Sequence, residues 1–134
     1  MENYEWIKGM LIEREIDDRL SVETVKKVYQ KLIKVAKKQK EYEKGIIFYE
    51  EIMAIADLER EDPHDRETVL SRMLGGISEH EKECSRPLLS AVVVLKGEVR
   101  IPGSGFFGFN DTNMSDEEFW YKEIRKVWDY WSKY

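Results

Sequence analysis

The chain has 134 residues, 42% hydrophobic and 37% charged, which fits one globular domain with a heavily charged surface and excludes a disordered chain. A net charge of −5 argues against a protein that is basic all over and coats nucleic acid. A lone cysteine, Cys84, excludes an intramolecular disulfide framework, and no apolar run approaches the ~20 residues of a membrane span. The N-terminal segment MENYEWIKGM carries acids where a signal peptide needs bases, so a cytoplasmic protein without a membrane partner is expected.

Residues 3–16 predict a first helix, with Ile7, Met10 and Leu11 on one side and Gly9 as a weak point. Asp17, Asp18 and Arg19 interrupt the pattern. Ser21 can cap a second helix over 22–44, in which Val25, Val28, Tyr29, Leu32, Ile33 and Ala36 recur at helical spacing. Lys27, Lys31, Lys34 and Lys38 fall on its opposite face, and Gly45 is a natural stop. Ile46–Phe48 predicts a short edge strand leading into a third helix, 49–58, with Ile52, Ile55, Ala56 and Leu58 inward.

Residues 59–66 predict a polar loop, since Pro63 cannot sit in a helix interior. A fourth helix is expected over 67–83, with a stripe of Val69, Leu70, Met73, Leu74 and Ile77. Gly75-Gly76 in its middle signals close packing against a neighbour or a bend. The apolar run 88–95 reads as a buried strand, turning at Lys96-Gly97 into a second strand, 98–101. Gly103, Gly105 and Gly108 then interleave with Phe106, Phe107 and Phe109. Ser115 with Glu118 predicts a capping box for a last helix, 116–132. Trp120, Ile124, Val127, Trp128, Trp131 and Tyr134, flanked by Phe119, Tyr121 and Tyr130, spread over an arc of about 200°, wider than the ~100° one core contact needs.

The expected fold class is therefore α+β in one domain: a helical pair over 1–45, a winged-helix-like core over 46–109, and an aromatic C-terminal helix over 115–134. Ile47, Tyr49, Glu51, Ile52 and Ala56 match an Ile-x-Tyr-x-Glu-Ile-x-x-x-Ala pattern. In this pattern, and in the order of parts after it, the stretch 46–109 resembles the winged-helix domain of the alkylguanine-DNA alkyltransferases and alkyltransferase-like proteins. That family carries its nucleophile in Pro-Cys-His-Arg, whereas Pro87 here is followed by Leu88, Leu89 and Ser90, so alkyl transfer does not carry over. Glu50 and Asp57 stand where the family usually has glycines. What the resemblance implies is a wing-bearing scaffold. The segments EHEKECSRPLLSAVVV and IPGSGFF also resemble small bacterial proteins, and that likeness implies no activity.

Chemistry-bearing constellations are sparse. His80 and Cys84, four apart on one helix, have a spacing that suits two metal ligands, but only His64 and Glu83 hint at the others. A polar helix end is the better reading, and no metal is expected. Ser90 with His80 and Glu79 forms a conceivable hydrolytic set, yet no nucleophile elbow surrounds Ser90. Cys84 stands among Glu81, Glu83 and Arg86, not in the electropositive setting of a reactive thiol. No catalytic residue is assigned, and the protein is expected to be non-enzymatic. Glycine-rich backbone over 102–108 can present N–H groups to an anion, but the Lys-Ser/Thr ending of a Walker loop is missing. Tight backbone packing with phenylalanines in the core is preferred, and no cofactor is expected.

Charge points further. Residues 22–44 hold eight lysines against three glutamates, whereas 46–83 hold eleven acids against four bases. A winged helix ordinarily inserts its second helix into the major groove. Here that helix is acidic, which disfavours phosphate contact. The expected nucleic-acid footprint is instead the lysine face Lys27, Lys31, Lys34 and Lys38, with Arg86, Lys96 and Arg100 near the wing, and the ligand DNA or RNA. The alternative is a protein-interaction module acting through the acidic helix 67–83 or through Trp120, Trp128 and Trp131. A small-molecule or nucleotide site at the glycine-phenylalanine segment ranks third. The surplus aromatic surface of the last helix predicts a two-fold homodimer.

Overall fold

The computed structural model describes residues 3–38, 45–58, 62–97 and 101–134. Helix α2, Val22–Ala36, is the element most completely dictated by its residues. Ser21 lies in extended backbone and its Oγ accepts a hydrogen bond from Thr24 N at 3.1 Å, satisfying one N–H left open by the first turn. The stripe Val25, Val28, Tyr29, Leu32, Val35 and Ala36 is buried. Helix α1, Trp6–Glu13, packs on it through Ile7, Met10 and Leu11. It stops sooner than its apolar pattern predicts. Glu15 takes a left-handed φ of 59°, and Ile16 N–H bonds back to the Leu11 carbonyl at 2.9 Å.

Strand β1, Ile47–Phe48, runs directly into α3, Tyr49–Ile55. Helix α4, Pro63–Glu83, begins inside the predicted polar loop. Pro63 is the reason the prediction missed it: proline is barred from a helix interior but suits the first helical position, where its missing N–H has no partner to lose. Asp62 supplies the cap, its Oδ1 accepting from His64 N at 3.0 Å and Asp65 N at 3.4 Å. The predicted stripe Val69, Leu70, Met73, Leu74 and Ile77 is buried.

The Gly75-Gly76 pair marks close packing. A Cβ on Gly76 would stand 2.4 Å from Met10 Cγ and Sδ, and one on Gly75 would stand 2.9 Å from Arg14 Nη1. The side chains of Met10 and Arg14 therefore lie against α4 where its two glycines leave room.

The apolar run 88–95 differs from the continuous strand its composition predicts. Leu89–Val92 forms a 3-10 turn, and only Val93–Val94 is strand, β2. Flanking helices take up the backbone groups that a ladder would otherwise use. Leu88 N donates to Glu123 Oε2 at 3.0 Å, Ser90 N to Ser78 Oγ at 3.0 Å, and Trp120 Nε1 to the Ala91 carbonyl at 2.8 Å. Strand β2 pairs with β1 in parallel, Ile47 opposite Val93 and Phe48 opposite Val94. The predicted return strand falls largely on residues 98–100, outside the described residues. At its far end Leu95 N bonds the Ile101 carbonyl at 2.9 Å, across a turn in which Gly97 has φ 148°.

Ser104–Phe109, where the sequence predicts tight backbone packing with its phenylalanines in the core, is a short 3-10 helix. Phe106 is buried against Phe119, ring centroids 5.6 Å apart, while Phe107 and Phe109 are half-buried. Helix α5, Asp116–Lys133, is capped by Ser115, whose Oγ accepts from Glu118 N at 3.2 Å. Phe119, Ile124, Val127 and Trp131 enter the core against Leu89–Val92 and α2. The class is thus α+β: mostly helical, with a small two-stranded sheet. No helix among the described residues is long and apolar enough to cross a membrane.

Candidate functional site

Two surfaces concentrate charged and polar side chains, and Arg86 is withdrawn from the first of them into a buried ion pair. On α2, Lys27 and Lys34 are exposed and Lys31 is half-buried; Lys38, just past the helix, is exposed. None has a carboxylate within ion-pair distance among the described residues. On α5 the opposite holds. Lys122 faces Glu118 at 3.5 Å, Lys126 faces Glu123 at 3.7 Å, and Lys133 faces Asp129 at 3.3 Å. The lysines of α2 project from the face opposite its apolar stripe, as the 3.6-residue period requires. Lys96 is also exposed, with its Nζ 5.5 Å from the centre of the Phe48 ring. Arg100 lies outside the described residues.

Arg86 sits elsewhere than its expected place in a solvent-facing footprint. Its Nε donates to Glu81 Oε2, and its Nη2 reaches Tyr29 Oη at 3.3 Å. Glu81 is wholly buried, and Tyr29 Oη donates to its other oxygen at 2.7 Å. Burial disfavours the Arg86 cation, but the hydrogen bond and charge of Glu81 outweigh that, so the guanidinium pKa is raised. Arg86 is tied inward because Ser85, at φ 60°, turns the chain back and Arg86 N bonds the Glu81 carbonyl at 2.8 Å. In the sequence Glu81 looks like one more acid in an acidic helix end. Its place one turn beyond Ile77, in the stripe with Leu70 and Leu74, is the signal that it points inward.

His80 stacks on Trp6, with ring centroids 3.8 Å apart and planes 7° from parallel. Its Nε2 lies 3.8 Å from Cys84 Sγ and 3.4 Å from Arg86 Nη2. No group of three metal-ligating side chains occurs among the described residues. Ser90 Oγ is buried and 2.6 Å from Ser78 Oγ, a pairing that links α4 to the 3-10 turn.

The three tryptophans of α5 are engaged within the chain. Trp131 is buried, while Trp120 and Trp128 are half-buried and donate their indole N–H groups to the Ala91 and Gly45 carbonyls, each at 2.8 Å. The surplus aromatic surface that motivates self-association is therefore largely spent on the domain itself, against the 3-10 turn and α2. Tyr121 and Tyr134 are the exposed aromatic remainder.

The second surface is a groove between α4 and the glycine-phenylalanine helix. Sequence reasoning places a small-molecule site third at this segment, and the groove is open. One cavity of about 440 Å3 is lined by Tyr49, Met53, Leu70 and Leu95 with the charged Glu50, Arg66 and Glu67. A second, of about 360 Å3, is lined by Arg14, Arg72 and Lys82 with Glu79 and Asp111. Ser71 and Gly105 border both. Tyr49 Oη accepts from Gly103 N at 3.0 Å; burial raises the phenol pKa, and this backbone bond partly offsets the rise.

No protein-family model matches the chain, and neither does any curated protein sequence or solved structure.

Proposed function

We propose that this protein binds nucleic acid non-enzymatically through the lysine face of α2. The observation that carries the proposal is the contrast between helices: each α5 lysine faces a carboxylate, whereas among the described residues Lys27, Lys31, Lys34 and Lys38 face none. Four cations on one helix face attract phosphate and release its counterions, the main source of such affinity. Lys96 is the further contributor. Arg86 is not, because its charge is committed to Glu81.

The finer fold reading, a winged-helix-like core at 46–109, belongs to the same proposal. The succession β1, α3, α4, β2 supports it. So does Asp57, which stands where the alkyltransferase-like pattern has glycine and adopts φ 56°, the left-handed backbone that glycine favours and aspartate tolerates. Within this scaffold α4 is a poor groove reader, since Glu67 and Glu83 are exposed and Glu79 half-exposed along it. The basic helix, not the acidic one, carries the interface.

An electrophoretic shift assay tests the proposal. The folded wild type should shift duplex or single-stranded DNA or RNA at about 50 mM salt. The variant Lys27→Glu/Lys31→Glu/Lys34→Glu/Lys38→Glu should not. Equal binding by both proteins would overturn it.

A further inference from the structure

We infer that the cleft formed by the end of α1, the middle of α4 and the helix Ser104–Phe109 binds the phosphate group of a small phosphorylated molecule. The site is separate from the α2 lysine face. Its charged lining is Arg14, Arg72 and Lys82 against Glu79 and Asp111, an excess of cation in a cleft of about 360 Å3.

The glycine at 75 gives the site its floor. A Cβ there would stand 2.9 Å from Arg14 Nη1, so the guanidinium lies close against the helix at this glycine. The turn at Glu15 follows at once, and Arg72 Nη1 donates to the Arg14 carbonyl at 3.2 Å, which fixes the end of α1 against α4. Arg72 has one loose ion pair, 3.9 Å to Glu15, whose side chain is 84% exposed. Arg14 and Lys82 have no carboxylate in ion-pair range among the described residues. Two guanidinium forks and an ammonium around one cleft are the donor set that phosphate oxygens take best. Glu79 and Asp111 oppose a bare anion and favour a ligand that also brings hydroxyl or amine donors.

The rest of such a ligand has room beside it. The adjoining cavity of about 440 Å3, partly apolar through Tyr49, Met53, Leu70 and Leu95, is of the size that takes a small organic molecule. The α4 residues lining the two cavities are centred about seven positions apart, hence about 10 Å along the helix. Gly105 stands at their junction. A Cβ there would lie 2.6 Å from Ser71 Oγ and would narrow the passage between them. The ligand class is thus a phosphorylated small molecule, its phosphate on Arg14, Arg72 and Lys82 and its organic part toward Tyr49.

Titration calorimetry with inorganic pyrophosphate, against sodium sulfate at matched ionic strength, tests the phosphate end. The wild type should bind pyrophosphate saturably at one site per chain. Arg14→Gln and Lys82→Gln should each weaken binding about tenfold or more, the effect of losing one charge-assisted hydrogen bond. Circular dichroism should confirm the fold of each variant. The fourfold lysine-to-glutamate variant of α2 should bind pyrophosphate as the wild type does, so this site and the nucleic-acid interface fail independently. No saturable binding, or wild-type affinity in Arg14→Gln and Lys82→Gln, overturns the assignment. Loss of binding in the α2 variant alone also overturns it, because the anion would then sit on the lysine face.

Discussion

Removing the Arg86 side chain should destabilise the protein far beyond what a surface ion pair would explain. Glu81 is fully buried, and Arg86 is its cationic partner, with only 18% of its own side chain exposed. In Arg86→Ala the carboxylate would keep the Tyr29 hydroxyl but lose its countercharge. Breaking one side of a buried pair costs about 3–5 kcal/mol, a large share of the ~5–15 kcal/mol that holds a domain together. For a chain of this length that is a fall in Tm of about 10–20 °C. Replacing the whole network tells a different story. Glu81→Leu/Arg86→Met/Tyr29→Phe leaves no buried charge and no orphaned hydroxyl, so it should lie within about 1–2 kcal/mol of wild type. Urea and thermal denaturation followed by circular dichroism measure both. A loss below about 1 kcal/mol in Arg86→Ala, the range of exposed ion pairs, would refute the buried-pair reasoning. A triple variant as unstable as the single one would refute it equally.

Gly76→Ala should cost about 1 kcal/mol in the wild type, because overpacking against Met10 exceeds the gain in helix propensity. In a Met10→Ala background the same change should become stabilising, and a double-mutant cycle in urea reads the sign. Tyr49→Phe should cost about 1 kcal/mol at neutral pH by removing the acceptor of Gly103 N. The raised Tyr49 pKa means that its neutral form is favoured in the fold, so its contribution is complete below the unfolded value of 10.0 and is lost as pH climbs through the higher folded one. Stability above pH 10 should accordingly fall less steeply in Tyr49→Phe than in wild type. Trp128→Glu should destabilise the monomer by stranding the Gly45 carbonyl and burying part of a charge. Sedimentation of the wild type at micromolar concentration should give a 16.0 kDa species, since the α5 tryptophans are already covered. A concentration-dependent dimer would show instead that Tyr121 and Tyr134 suffice to pair two copies.

Helices whose apolar period and cap agree were legible in the sequence: α2 with Ser21, α5 with Ser115, and the stripe of α4. Close packing at Gly75-Gly76 was legible too, because two glycines inside a helix need a neighbour to justify them. Three features were not. The start of α4 was hidden because Pro63 reads as a breaker unless Asp62 is recognised as the cap before it. The run 88–95 has strand composition throughout, yet its backbone partners are side chains of Ser78, Glu123 and Trp120, distant in sequence and invisible to local pattern. The partner of Glu81 was hidden, although its place in the α4 stripe marks Glu81 as inward, because Arg86 is brought to it by a left-handed φ at Ser85, which serine rarely takes. The lysine face was visible as periodicity. That its members have no acid partner among the described residues became apparent only from the fold.

The most direct test of the proposed nucleic-acid interface is the salt dependence of binding, measured by fluorescence anisotropy of a labelled duplex. Four phosphate contacts from Lys27, Lys31, Lys34 and Lys38 predict a slope of log Kobs against log salt of about −3 to −4. Neutralising one of them, as in Lys34→Gln, should make the slope shallower by about one. A binding constant insensitive to salt, or a slope unchanged in Lys34→Gln and in each of the other three single variants, would contradict the account.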